Sequence, residues 1–103
     1  MKRGDVRWYK FSPPDKKRPV VILMRNSALD FLNEITVAPV TSAIRHIPSE
    51  VILYKSDGMP RECAVNLDHI QTVSKGKIGP LITTLSPEKM SMLRSAGMFA
   101  LEF

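Results

Sequence analysis

Two short segments of this chain place side chains that can bind phosphate at the end of an apolar run. They are Lys16-Lys17-Arg18-Pro19-Val20-Val21 and Ala38-Pro39-Val40-Thr41-Ser42. The planar guanidinium of Arg18 can hold two phosphate oxygens at once, and the hydroxyls of Thr41 and Ser42 can donate hydrogen bonds. One preorganised contact of this kind typically lowers a phosphoryl-transfer barrier by about 3 kcal/mol. The two segments therefore predict a phosphate-binding site.

Two predicted strands bring these segments together. Residues 20–24 are apolar and too few for a core helix, and residues 35–41 are rich in β-branched side chains. If the two strands are antiparallel neighbours joined through residues 25–34, the start of the first lies beside the end of the second. Arg18 and Thr41 then share one edge of the sheet.

The remaining chain predicts a small, strongly bent sheet or barrel followed by a helix. Further short strands are expected at residues 6–11, 51–54, 64–67 and 70–73, with turn residues between them. Ser86 is a good N-cap, with Pro87 in the first helical position. Apolar residues then recur on two helix faces, namely Met90, Leu93, Gly97 and Leu101 on one and Met92, Ala96, Phe99 and Phe103 on the other. Such a helix is either sunk into its own core or covered by a second subunit or a partner.

A set of motifs occurs in a recognisable order along nearly the whole chain. They are Arg3-Gly4-Asp5-Val6, Arg18-Pro19-Val20-Val21, Pro39-Val40-Thr41-Ser42, Asp68-His69-Ile70-Gln71-Thr72-Val73 and Leu85-Ser86-Pro87-Glu88. The ordered set resembles the MazF/PemK/Kid family of toxin endoribonucleases. The segment Ser12-Pro13-Pro14-Asp15-Lys16-Lys17 departs from the family pattern, since it is shorter and lacks the usual Gly and Glu. Its acidic residue is Asp15.

The resemblance implies a fold and an activity. The fold is mainly β with a C-terminal helix, an SH3-like small barrel of the PemK/MazF type. The activity is that of a toxin in a type II toxin–antitoxin system, a sequence-selective and metal-independent endoribonuclease that cleaves single-stranded mRNA without a cofactor. The expected products are a 2′,3′-cyclic phosphate or 3′-phosphate and a 5′-hydroxyl. The resemblance also implies a homodimer and an acidic antitoxin partner.

The resemblance assigns the central active-site positions to Arg18 and Thr41. Candidate RNA contacts are Lys16, Lys17, Ser42, Arg45, His46 and Asp68, and the cations among them are expected to line one basic groove. His46 and His69 form an alternative acid–base pair, since an unperturbed imidazole titrates near pH 6.5. No metal-ligand spacing, Gly-rich phosphate loop or nucleophile elbow is present in the sequence.

Composition favours one folded domain of 103 residues with an acidic partner. The formal net charge is +5 and the sequence pI is near 9.7, as is typical of nucleic-acid-binding proteins. Cys63 is the single cysteine and is expected to be a small buried residue, and Trp8 is expected in the core. The charged first ten residues and the absence of a long aliphatic run predict a cytoplasmic protein that does not enter a membrane.

Two other functions remain open at this point. One is a non-catalytic poison of gyrase like CcdB on the same fold, although Ala100-Leu101-Glu102-Phe103 is not the aromatic–glycine tail of that group. The other is a barrel that binds RNA without cleaving it, or a toxin whose altered first loop has removed its activity.

Overall fold

The computed structural model describes residues 1–13 and 16–103, and strands dominate it. The strands are β1 (Asp5–Lys10), β2 (Lys17–Ile22), β3 (Glu34–Thr41), β4 (Glu50–Leu53), β5 (Cys63–Asn66), β6 (Gln71–Ser74) and β7 (Ile78–Thr84). A short helix α1 (Asn26–Leu29) joins β2 to β3, and a long helix α2 (Pro87–Leu101) follows β7. The predicted strands are thus present, with ends shifted by at most three residues.

All the strands pair antiparallel in the order β4-β5-β3-β2-β1-β7, with β6 beside the first half of β3. Strand β3 organises this sheet because it is long enough to have three neighbours. It pairs with β2 along one edge, while the other edge pairs first with β6 and then with β5. The sheet therefore curls into a half-barrel, and the predicted mainly β fold with a C-terminal helix is confirmed.

Both faces of the central strands are buried. Val21 and Ala38 point toward the core that α2 covers, whereas Val20, Ile22 and Val37 point into a second core under α1. A strand with two buried faces must be apolar at every position. This explains why β2 and β3 have continuous apolar runs in place of the alternation typical of one-sided sheets.

Helix α2 packs one face on the sheet and leaves the other in solvent. Ser86 caps it by accepting a hydrogen bond from the backbone N–H of Lys89 at 3.2 Å, as the sequence predicts. Leu93 and Ala96 are buried against the sheet, whereas the exposed apolar side chains are Met92, Met98, Phe99, Leu101 and Phe103. The helix is therefore not sunk into its own core.

The sequence missed strand β7, which contains Gly79 and Pro80. Both residues are depleted in strands, and Pro has no N–H for a ladder. The strand forms because it lies at the edge of the sheet. Among the residues that the structure describes, it pairs with β1 alone, and this pairing shifts register twice. An edge strand tolerates Pro because one side of it needs no partner.

The connection between β4 and β5 depends on one glycine. Gly58 has a φ of +98°, a left-handed conformation that strains other residues. A Cβ built on Gly58 would lie 2.3 Å from Oγ1 of Thr83, whose hydroxyl donates a hydrogen bond to the carbonyl of Asp57. The next residue, Met59, is buried in the core. Gly58 therefore lets the chain turn tightly between the Thr83 hydroxyl and the buried Met59.

Replacing Gly58 with Ala is expected to lower the free energy of unfolding by on the order of 1–3 kcal/mol. The loss comes from the positive φ and from the clash with Thr83. Urea unfolding followed by circular dichroism measures it. Gly76→Ala is the matched control, because Gly76 has no positive φ and its nearest neighbour lies 3.9 Å from a built Cβ. Equal stability of the two variants would contradict a requirement for glycine at position 58.

Candidate functional site

A cavity opens where strands β2 and β3 stop pairing. Their register is Ile22↔Val37, Val21↔Ala38 and Val20↔Pro39, and it ends there although β2 begins at Lys17 and β3 runs to Thr41. The next pair of this register would be Pro19 with Val40, and Pro19 has no N–H to donate to β3. The two strand ends separate and leave a space between them.

This space is a cavity of ≈ 600 Å³ with a cationic lining. We call it the cationic cavity. Its described lining residues come from β1, from the ends of β2 and β3 and from the segment before β5: Trp8, Lys16, Lys17, Arg18, Pro19, Val40, Thr41, Ser42, Ala43, Met59, Pro60, Arg61 and Cys63. Four of them carry a positive charge, so the cavity suits a polyanion.

Thr41 lines the cationic cavity from the end of β3. Continued by two residues, the β2–β3 register would set Arg18 opposite Thr41, and both residues line the cavity. On its other side Thr41 pairs with Ala64 of β5. Oγ1 of Thr41 accepts a hydrogen bond from the backbone N–H of Ala43 at 3.1 Å. This bond uses one of the two lone pairs of the hydroxyl oxygen, and the hydroxyl proton can still donate to a ligand.

Trp8 supplies an aromatic wall to the cavity. The sequence assigned Trp8 to the core, but the residue is only half-buried, and Nζ of Lys17 lies 5.2 Å from its ring centroid. The core assignment is wrong, because Trp8 belongs to neither of the two buried cores and lines the cavity instead. An aromatic face beside cations can stack on a base while the cations hold the backbone.

Five of the eight predicted site residues line the cationic cavity: Lys16, Lys17, Arg18, Thr41 and Ser42. Arg45 does not line it, because Glu50 binds it elsewhere. The backbone N–H and Nε of Arg45 donate to the two carboxylate oxygens of Glu50, at 2.9 and 2.8 Å. Arg45 is therefore placed outside the cavity lining, and its contact with RNA as part of one basic groove stays a prediction.

His46, His69 and Asp68 also lie outside the cavity lining. His46 has a φ of +55° and borders a different groove beside α2. Asp68 accepts a hydrogen bond from the hydroxyl of Ser49 at 2.6 Å, which ties the β3–β4 connection to the turn after β5. Neither histidine is placed at the cavity, and RNA contacts by His46 and Asp68 stay predictions. Asp15, the acidic residue of the shortened loop, lies outside the described residues.

Sequence reasoning missed Arg61, which lines the cavity from the segment between Gly58 and β5. The pattern Gly58-Met59-Pro60-Arg61 signals a turn followed by an exposed cation. It says nothing of which part of the sheet that cation faces, since this depends on the pairing of β5 with β3.

Cys63 is buried beside the cavity, as predicted. Burial raises the pKa of its thiol, with neighbouring charges as smaller influences. The thiol is therefore protonated at neutral pH and is a poor nucleophile. Within residues 1–13 and 16–103, no three His, Cys, Asp or Glu side chains are grouped as metal ligands, and no helix there is long and apolar enough to cross a membrane.

A family model matches almost the entire chain. The model is described as "PemK-like, MazF-like toxin of type II toxin-antitoxin system", and it matches residues 2–98. This chain belongs to that toxin family. The family predicted from the ordered motifs is thereby confirmed.

Relatives of this MazF-like toxin support the assignment. A Mycobacterium tuberculosis H37Rv protein named "Probable endoribonuclease MazF5" is 45% identical over 73 residues, which are 70% of this chain and 66% of that protein. The structure of the Mycobacterium tuberculosis toxin MazF-mt6 matches with a TM-score of 0.88 and 28% identity, covering 96% of this chain and 97% of that one. An endoribonuclease in complex with its cognate antitoxin from a mycobacterial species shares the fold, with a TM-score of 0.88 and 24% identity over 100% of this chain and 96% of that one.

The Glu50–Arg45 contact predicts an acid-sensitive step in the stability of this MazF-like toxin. Burial alone would raise the pKa of Glu50, but the hydrogen bonds and charge of Arg45 outweigh it and hold that pKa below 4.5. The ionised carboxylate therefore stabilises the native state above the unfolded-state pKa, and this stabilisation is lost as pH falls through the lower native pKa. Glu50→Gln is expected to cost about 1–2 kcal/mol at pH 7.

Urea unfolding at pH 7, 5, 4 and 3 tests this prediction. The stability of the wild type should converge on that of Glu50→Gln as the pH falls. Glu34→Gln, at an exposed position at the start of β3, is the control and should follow the wild type. A constant difference between wild type and Glu50→Gln across this range would contradict the proposed role of the ionised carboxylate.

Proposed function

We propose that this chain is a metal-independent endoribonuclease that cleaves single-stranded mRNA in the cationic cavity, with Arg18 and Thr41 as its catalytic residues. The observation that carries the proposal is that the guanidinium-bearing end of β2 and the hydroxyl-bearing end of β3 border one cationic cavity. Membership in the toxin family and the names of the relatives support endoribonuclease activity. RNA as substrate implies action in the cytoplasm.

The chemistry is an attack of a ribose 2′-oxygen on the adjacent phosphorus. The new bond closes a 2′,3′-cyclic phosphate while the bond to the 5′-oxygen breaks. A proton leaves the 2′-hydroxyl and a proton joins the departing 5′-oxygen, so the products are a cyclic phosphate and a 5′-hydroxyl. Negative charge grows on the two non-bridging oxygens during this step. Arg18 holds them with its planar fork, and the Thr41 hydroxyl donates to one of them.

Lys16, Lys17 and Ser42 extend the phosphate-binding surface around this centre. All three line the cationic cavity, where the lysines neutralise backbone charge. Bases of the single strand can stack on the exposed part of Trp8 once Lys17 moves from its ring face. Binding should therefore weaken with added salt.

The exposed face of α2 supports a homodimer. Met92, Phe99, Leu101 and Phe103 are each about half exposed or more. Contiguous apolar surface of this kind marks protein interfaces. A second copy of the chain covering this face would match one of the two alternatives that the helix sequence left open, namely that a second subunit covers the helix.

The same charges define the antitoxin partner. An acidic segment with apolar residues, disordered when free, would place its carboxylates where the cationic cavity holds phosphates. Such a segment loses conformational entropy on ordering, so it must cover a long surface to bind tightly. The family's place in type II toxin–antitoxin systems supports this partner.

The first test is cleavage of a long RNA of defined sequence in EDTA, followed by mapping of the ends. The wild type should leave cyclic phosphate or 3′-phosphate and 5′-hydroxyl ends. Arg18→Ala should lose about a hundredfold or more in kcat, as expected for removal of one preorganised contact. Thr41→Ala should also be strongly impaired, and Thr41→Ser, which keeps the hydroxyl, should retain most activity.

Matched controls make this test specific. Arg25→Ala removes an exposed arginine at the opposite end of β2 and should cleave like the wild type. Full cleavage by a folded Arg18→Ala protein would overturn the active-site assignment. Loss of cleavage in His46→Ala or His69→Ala alone would move the acid–base role to a histidine. A wild type that binds RNA or gyrase but cleaves nothing would favour one of the two non-catalytic alternatives.

The second test uses an acidic protein encoded beside this chain. Mixing the two should give a complex that no longer cleaves RNA, because both ligands need the same cations. Association should slow as salt is added. Lys17→Ala should weaken the complex more than Lys55→Ala, since Lys55 lies outside the cavity lining. A tight complex that leaves cleavage unchanged would contradict occlusion of the cavity.

A further inference from the structure

Arg61 is a second guanidinium at the cationic cavity, on a different element from Arg18. It lies in the exposed segment 60–62, which is anchored at both ends by buried residues. Met59 is inserted into the core on one side, and Cys63 begins strand β5 on the other. Pro60 further restricts the backbone between them. The short segment therefore presents Arg61 from a largely preformed backbone.

Strand pairing sets Arg61 on the far side of Thr41 from Arg18. Thr41 pairs with Ala64 of β5, three residues after Arg61, while Arg18 is on β2 along the opposite edge of β3. Paired neighbouring strands are about 4.8 Å apart, so backbones on the two sides of β3 are at least roughly 10 Å apart, and the distance is larger where β2 has left β3. Two guanidinium groups spaced in this way suit neighbouring phosphates of one strand.

The surroundings of Arg61 leave it available to a ligand. Its side chain has no ion pair or hydrogen bond within residues 1–13 and 16–103. It faces a cavity that Lys16, Lys17 and Arg18 also line. Cations that share one cavity repel each other, and an anion with more than one charge relieves that repulsion.

We propose that Arg61 binds the phosphate next to the scissile one and so fixes the RNA strand across Thr41. This inference rests on the proposed function and deepens it by assigning a second phosphate subsite to a residue outside the recognised motifs. Because the contact is to a phosphate that does not react, it is made equally in the ground state and the transition state. Its loss is then expected to raise KM and to leave kcat nearly unchanged.

The first experiment compares the steady-state kinetics of wild type, Arg61→Ala, Arg61→Lys and Arg25→Ala on a short RNA with one cleavage site. Arg61→Ala should raise KM about tenfold and keep kcat within about twofold. The KM of Arg61→Lys should lie between those of the wild type and Arg61→Ala, and the kinetics of Arg25→Ala should match those of the wild type. A change confined to kcat would instead put Arg61 at the scissile phosphate, and unchanged kinetics would leave it no role in binding; either result overturns the proposal.

The second experiment identifies the phosphate. One linkage at a time in the short RNA is replaced by an uncharged methylphosphonate, which removes the negative charge that Arg61 would bind. At one linkage adjacent to the cleavage site, the replacement should raise the KM of the wild type about tenfold. The KM of Arg61→Ala should be almost unchanged by the same replacement. If the effects of Arg61→Ala and of the methylphosphonate on KM are additive at every linkage, the assignment is overturned.

A binding measurement separates this inference from the proposed function. Fluorescence anisotropy with a labelled RNA carrying 2′-O-methyl groups, which cannot attack phosphorus, reports affinity without cleavage. Arg61→Ala should bind about tenfold more weakly, with the slope of log affinity against log salt reduced by about 1. Equal binding of wild type and Arg61→Ala would overturn the inference even if the wild type cleaves RNA. An absence of wild-type cleavage with this binding difference intact would refute only the catalytic proposal.

Discussion

The site depends on the place where the pairing of β2 and β3 stops. Two adjacent strands in the middle of a sheet would normally pair to their ends, and side chains there would lie on a closed surface. Pro19 lacks the N–H group that the next pair of this register requires, and the ladder ends at Val20↔Pro39. The cavity opens at this missing hydrogen-bond donor. Arg18 and Thr41 line it because they lie beyond the last pair, toward the open end.

The apolar part of the fold holds that opening in place. Val20, Val21 and Ala38 are completely buried immediately next to the point of separation. Close packing on both faces of the sheet keeps the strand ends from moving together or apart, since cores tolerate little change in volume. The polar groups at the cavity thus gain their preorganisation from apolar residues only one or two positions away.

Hydrogen bonds outside the cavity restrain the connections that border it. Glu50 binds the backbone and side chain of Arg45, and Asp68 binds Ser49, so both ends of the β3–β4 connection are tied down after it leaves Ser42. Gly58 does the same for the β4–β5 connection by permitting the turn before Met59. Part of the cavity lining lies in these connecting segments. Restraining the segments in advance reduces the conformational entropy that is lost when the site binds a phosphate.

The sequence by itself determined the features that depend on neighbouring residues. The apolar runs predicted β2 and β3, and their antiparallel pairing predicted the shared edge of Arg18 and Thr41. Ser86 predicted the start of α2, and the motif order predicted the family. Tertiary structure alone decided which distant segments meet. The pairing of β5 with β3 brought Arg61 to the cavity, and Glu50 drew Arg45 away from it. Such outcomes depend on contacts between residues far apart in the chain or on competition between partners, and local residue patterns carry no information about either.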